Sequence, residues 1–340
     1  MRRRNLFILM PAAFILMFIT AACSPGGIFA PKPYKETQFL MDTIIEITAY
    51  GSGSEAAVEA AFGEFKRIQG LADHFDPNSQ VSKINAMAGK APVQVDPELI
   101  SLLKLAQSRS EKLDGALDVT VGPLTQLWGI GHKGEFVPTQ AEIDKMLPLV
   151  NYRLLQIDET NNTVFLPQEG MSIDLGAVAK GFANRKAVEV MKARGIKSAL
   201  LNAGGDVRVI GTKPDGQPWR IGVQHPRNSD GVIAKISMTG WDVLETSGDY
   251  QRYFIKDGVR YSHILDARTG RQPGELASVT MVTNSADENH ILSTAIFILG
   301  AERGQQLLRH YFPEAEAILV TVDGRVILTP GLEGKVEVTQ

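Results

Sequence analysis

Residues 172–210 read SIDLGAVAKGFANRKAVEVMKARGIKSALLNAGGDVRVI, and the change of period inside this stretch sets the fold class. A turn, Asp174-Leu175-Gly176-Ala177, leads into residues 178–193, whose apolar positions recur at helical spacing. Two short strand-like runs follow, ALLN at 199–202 and the β-branched VRVI at 207–210, split by a pair of glycines. Further strands are predicted at 219–223, 232–238, 253–255, 278–282, 317–322 and 325–328, with late helices at 290–299 and 301–310. Upstream, residues 41–50 (MDTIIEITAY) read as a strand, and 54–71 and 97–113 as amphipathic helices, the first with Ser54 in capping position. Residues 139–146 read as a short helix with Thr139 at its N-cap and Glu142 three residues on. Strands crowded between helices predict an α+β fold with a mixed β-sheet core and flanking helices.

Composition narrows the function classes. The 340 residues are 44% hydrophobic and 21% charged, ordinary for a globular chain. Lys and Arg number 35 against 38 Asp and Glu, a net charge of −3 that gives no electrostatic footprint for nucleic acid. A single Cys excludes a disulfide framework and multi-thiolate metal sites, while the acids leave an oxygen-ligand metal site open. At the start, Arg2, Arg3 and Arg4 precede an apolar run from 6 to 19 and then Thr20-Ala21-Ala22-Cys23-Ser24, which predicts a secretory signal. The layout is similar to a bacterial lipoprotein signal, in which Cys23 becomes the lipidated first residue, although Thr20 departs from the large aliphatic residue usual there. The expected organisation is a signal peptide over 1–22, a tether over 23–36 and one domain over 37–340, lipid-anchored to the cell membrane on its extracytoplasmic, periplasmic side.

Five segments carry candidate chemistry. Gly51-Ser52-Gly53 follows a strand and opens a helix, as in a dinucleotide fold. The acid-ending strand expected about 20 residues later is replaced by His74-Phe75-Asp76-Pro77, so the glycines read as a tight turn. Around Asp174, Gly176 and Lys180, helix N–H groups suit a phosphate and turn carbonyls suit a hard cation; an Asp cap with a solvated Lys fits the same residues equally well. Gly204 and Gly205 allow close ligand approach, and a hairpin accounts for them without one. His263, near the polar segment 246–250, is an acid–base or phosphate candidate or a hydrogen-bonded structural His. Asp287, His290 and Thr294 stand at i, i+3 and i+7 on one helical face, able to offer oxygen and nitrogen to a metal or only to open a helix.

Taken in order, MDTIIEI (41–47), FDPNSQVSKIN (75–85), LDVTVGPLTQLWGIG (117–131), SIDLGAVAKGFA (172–183), NAGGDVRVIG (202–211), TSGDYQRYF (246–254), YSHILDARTG (261–270) and LSTAIFILG (292–300) form a series that resembles the ApbE family of FAD:protein FMN transferases. The resemblance covers essentially the whole chain after the tether. It implies an enzyme that splits FAD, passes FMN to a Thr or Ser hydroxyl of a partner flavoprotein and releases AMP, usually with Mg2+. Partners implied are subunits of membrane respiratory complexes, NADH:quinone reductases and electron-transfer complexes of the Rnf type. By the same likeness, Met41, Phe75, Asp118, Val119, Thr120, Asp174, Lys180, Ile264 and Leu265 are expected around FAD, with His263 assisting the transfer. Ala177, through its carbonyl, and Thr294 are expected on the metal.

Two positions depart from the family pattern. His290 stands where the family has an Asp metal ligand, and a neutral imidazole suits Mg2+ poorly; Asp287, a turn earlier, is the candidate substitute. Ala267 replaces a frequent Pro. Two alternatives stand beside the transferase: an FAD pyrophosphatase giving FMN and AMP, as the likeness also implies, and a non-catalytic FAD-binding lipoprotein, suggested by His290.

Overall fold

The computed structural model describes residues 32–131, 133–284 and 289–339, without the side chains of 289–291. Cys23, the signal peptide over 1–22 and the tether up to residue 31 lie outside the described residues. In chain order, β1 (Tyr34–Leu40) and β2 (Thr43–Tyr50) are followed by α1 (Ser54–Ala72), α2 (Gln80–Ala86), β3 (Val93–Gln94) and α3 (Pro97–Lys112). Next come α4 (Gly122–Trp128), α5 (Gln140–Met146), β4 (Gln156–Asp158), β5 (Thr163–Phe165) and α6 (Ala179–Ala193). A strand-rich stretch holds β6 (Ser198–Ala203), β7 (Asp206–Ile210), β8 (Arg220–Gln224), β9 (Val232–Ser237) and β10 (Val243–Gly248). It continues with β11 (Tyr253–Lys256), β12 (Val259–Ser262) and β13 (Leu276–Thr283). The chain closes on α7 (Asn289–Leu299), α8 (Ala301–Tyr311), β14 (Glu316–Thr321), β15 (Val326–Leu328) and β16 (Val336–Val338).

The core is an eight-stranded sheet in the order β1-β2-β6-β7-β10-β13-β14-β15. The α+β class holds, but the sheet is not mixed: every ladder in it is antiparallel. The reason is in the connections. β1–β2 and β6–β7 are two-residue hairpins, and β13 returns to β14 through two helices, so no single-helix crossover makes these neighbours parallel. One face packs against α1, α6, α7 and α8. The other packs against the small sheet β16-β9-β8. The central strand β13 is therefore buried at every position, whereas β2 alternates.

Local signals explain most elements. The buried positions of α1 (Ala57, Val58, Ala61, Phe62, Phe65, Ile68 and Ala72) form one apolar stripe. Its N-cap is Gly53 rather than a side chain, and Ser54 Oγ instead donates to Gly51 O at 2.6 Å. α5 carries the expected capping box between Thr139 and Glu142. Tyr34, Lys35 and Glu36, in the stretch read as tether, already belong to β1.

Two hairpin tips meet at one end of this sheet, where Gly204 N donates to Ile44 O at 3.0 Å. Met41 (φ 51°) and Asp42 (φ 57°) turn β1 into β2, and Gly204 (φ 61°) and Gly205 (φ 96°) turn β6 into β7. A Cβ at Gly204 would run into Thr43 Oγ1, so glycine is required there both by backbone angle and by space. Gly204→Ala is expected to cost about 1–3 kcal/mol, read as a lower urea midpoint at unchanged m-value.

Candidate active site

The hairpin tips, the loop before α6, the loop before α4, the end of β10 and the segment after β12 enclose one open cleft of about 730 Å³, within the range of small-molecule sites. Its walls are apolar where Met41, Leu117, Val119, Ile264, Leu265 and Ile298 line it, and polar where Asp174, Lys180, Asp206 and His263 do.

The polar end is built on the N-terminus of α6. Asp174 N donates to Val119 O at 2.8 Å, tying this loop to the Leu117–Val121 wall. Its carboxylate accepts from Gly176 N at 2.8 Å and lies 3.5 Å from His74 Nδ1, so it closes the turn instead of capping the helix. No side chain caps α6, which leaves its leading end to the cleft. Lys180, in the first turn, pairs with Asp206 Oδ2 at 3.0 Å. Asn184 Nδ2 donates to Asp206 O at 3.0 Å and fixes the base of the β6–β7 hairpin against the same helix.

Facing Lys180 is a cluster on β10 and α7. Ser247 Oγ lies 2.9 Å from both Ser293 Oγ and Thr294 Oγ1. Glu245, on the same strand, is buried and lines the cleft. Burial, with Asp206 beside it, pushes its carboxyl up to about 8, against the pull of Arg208 and Lys180.

His263 is half-buried just past β12, its backbone N donating to Arg252 O at 3.0 Å. Its Nδ1 sits 3.3 Å from the same carbonyl. Burial, together with the cations of Arg252 and Lys180, lowers its pKa to about 4, so the ring is neutral at physiological pH and free to accept a proton. Arg252 in turn pairs with Asp42 at 2.9 Å and joins this segment to the β1–β2 tip. Gln69 Oε1 accepts from Met41 N at 2.9 Å, which secures that tip from α1.

The cleft brings together Met41, Phe75, Asp118, Val119, Asp174, Ala177, Lys180, His263, Ile264, Leu265 and Thr294. Thr120 is the exception. It is fully buried behind the wall and is not part of the lining. Its N and Oγ1 both donate to Asp118 Oδ1 at 2.7 Å, and Asp118 Oδ2 accepts from Tyr152 N at 2.7 Å. Asp118 and Thr120 thus shape the wall with their polar atoms turned inward. Asp287 lies outside the described residues, as does the side chain of His290. The sequence reading gave no role to Gln69, His74, Asp206, Arg252 or Glu245, although His74, Asp206 and Arg252 stand inside segments it singled out.

Among the described residues no three His, Cys, Asp or Glu side chains gather as a metal cluster. The donors near Thr294 are oxygens, and neither carboxylate oxygen of Glu245 has a hydrogen-bond partner among the described residues. A hard cation that keeps few protein ligands and completes its shell on phosphates, as Mg2+ does, fits that set.

The ApbE family pattern matches residues 41–319. The FAD:protein FMN transferase of Klebsiella pneumoniae (strain 342) is 36% identical over 300 residues, covering 88% of this chain and 92% of that protein. That of Treponema pallidum (strain Nichols) is 32% identical over 333 residues, covering 93% and 92%. Among solved structures, the ApbE protein of Thermotoga maritima has a TM-score of 0.83 at 34% identity, covering 89% of this chain and 99% of that one. Pseudomonas stutzeri flavinyl transferase ApbE, in its apo form, has a TM-score of 0.79 at 28% identity, covering 91% and 98%. With the pattern and these relatives spanning nearly all of the described fold, the chain belongs to the ApbE family.

Proposed function

We propose that this chain is an FAD:protein FMN transferase acting on a Thr or Ser hydroxyl of a partner flavoprotein. The observation that carries the reading is the cleft itself: an apolar wall lined by Met41, Val119, Ile264 and Leu265, with a helix N-terminus and Lys180, which suit a diphosphate, in the same cleft. The acceptor oxygen attacks the phosphorus on the FMN side. A new P–O bond forms to the acceptor, the bridging P–O bond breaks, and the bridging oxygen leaves with AMP. Lys180 and the leading amides of α6 hold the charge of the diphosphate. Neutral His263 takes the hydroxyl proton. Ile264 and Leu265, with Met41 and Val119 in the same lining, hold the flavin and exclude water from it.

Mg2+ held by the Ala177 carbonyl and Thr294 hydroxyl would neutralise phosphate charge when bound. The N-terminal signal supports an extracytoplasmic enzyme anchored through lipidated Cys23. Its acceptors are flavoprotein subunits of membrane respiratory complexes, of NADH:quinone reductase or Rnf type. No helix of the described residues is long and apolar enough to cross a membrane.

Incubation of the protein with FAD, Mg2+ and a Thr-bearing acceptor tests the reading. An acceptor mass gain equal to FMN, with AMP released, supports it. FMN and AMP without labelling mark a pyrophosphatase, and intact bound FAD marks a non-catalytic binder. Asp174→Ala, which frees the Gly176 turn, is expected to weaken FAD binding about fivefold, the worth of one hydrogen bond; flavin fluorescence titration measures it.

A further inference from the structure

Glu245 stands in the middle of the sheet on β10 and is 1% exposed, yet neither of its carboxylate oxygens has a hydrogen-bond partner among the described residues. Buried carboxylates are ordinarily hydrogen-bonded. Its nearest cation is Arg208, with Nη2 at 3.7 Å, beyond hydrogen-bond reach. Despite its burial it lines the cleft beside Lys180, Asp206, Ser247 and Thr294. Strand alternation puts Glu245 and Ser247 on one face, about 6.6 Å apart along β10. Ser247 reaches α7, where its Oγ is 2.9 Å from Thr294 Oγ1. On the other side, the β7–β10 register pairs Val243 with Arg208 and Leu244 with Val207, and Asp206 and Glu245 follow directly on the two strands and line the same cleft. Lys180 already neutralises Asp206 at 3.0 Å, which leaves Glu245 as the acid open to another cation.

We propose that Glu245 is the acidic ligand of a divalent-cation site between β10 and α7, sharing the ion with the Thr294 hydroxyl while Ser247 orients Thr294. The donors are all oxygen, which selects Mg2+ or Mn2+ over a thiophilic metal. The proposal rests on the transferase reading for the cation's place at Thr294 and for the ligand phosphates that complete the coordination shell. A buried counter-ion for Arg208 is the competing role for the same carboxylate, and cation affinity separates the two.

Mn2+ alone is the probe, titrated into the full-length protein and followed by loss of the free-ion EPR signal, then repeated with FAD present. The wild type is expected to bind one Mn2+, and Glu245→Gln to lose about tenfold or more in affinity. Because Glu245→Gln leaves Arg208 beside a neutral amide and risks the fold, the double variant Arg208→Met/Glu245→Gln is measured alongside, with its melting curve. It is expected to fold and to show the same loss. Wild-type Mn2+ affinity in either variant, or no Mn2+ bound by the wild type, overturns the assignment. FMN transfer by the wild type, assayed separately, decides the transferase reading whichever way the titration falls.

Discussion

Lys180→Met is expected to lower kcat/KM for FMN transfer about a hundredfold or more, ~3 kcal/mol of transition-state stabilisation, the scale of losing one preorganised charge donor. Met keeps the apolar stem, so the loss reports the ammonium group. The effect should be larger than for an isolated surface Lys, because Lys180 is held by Asp206 at 3.0 Å. Without the ammonium, Asp206 faces the diphosphate uncompensated. The double variant Lys180→Met/Asp206→Asn should therefore recover part of the loss, a non-additivity that a purely local contact would not give. Steady-state kinetics on both variants, with FAD titrations alongside, measure it.

His263→Gln is expected to lower kcat by about 10²- to 10³-fold while leaving FAD affinity within a few-fold, since general-base catalysis contributes on that scale. The pH profile makes the sharper statement. The ring has its pKa lowered to about 4 by burial and by the nearby Arg252 and Lys180. It can accept a proton only when neutral, so kcat/KM, which reports the free enzyme, should hold steady from pH 7 down to about 5. It should then fall as pH drops through about 4. A fall centred near the usual histidine value of about 6.5 would mean that the ring is not shielded as described. Loss of the acid limb in His263→Gln would assign that limb to this residue.

Periodicity made α1, α3, α6 and most of the strands between 198 and 328 legible, because each buries one continuous stripe or alternates on one face. The capping box at Thr139 and Glu142 was legible for a different reason, a side-chain pattern with a single geometric meaning. β10 was hidden. Its sequence VLETSG puts Glu245 and the turn-forming Thr-Ser-Gly inside a strand, and only burial from both faces of the sheet makes it one. β1 was hidden by its polar alternation, YKETQFL, and by the prolines before it, as suits an edge strand. α2 and α4 are seven residues each, too short to show a period.

The site was legible in parts only. Its residues come from segments more than 250 positions apart, from Met41 to Thr294, and family likeness gathered most of them before the fold did. Likeness alone placed Thr120 at the flavin, whereas burial and its bonds to Asp118 and Asn151 put it behind the wall. It gave no role to Glu245 or Arg252, whose meaning depends on what the sheet and hairpins place beside them. The pairing sense of the sheet was likewise invisible, since the same strands serve parallel and antiparallel ladders until the connections are known.

FAD carrying 32P only in the FMN-side phosphate puts the central claim to its most direct test. Mixed with the enzyme and an excess of acceptor, the label should end on the acceptor protein, matched one to one by unlabelled AMP. Label recovered as free FMN with the acceptor unmarked, or label appearing in AMP, would contradict an attack by the acceptor hydroxyl on the FMN-side phosphorus in this cleft.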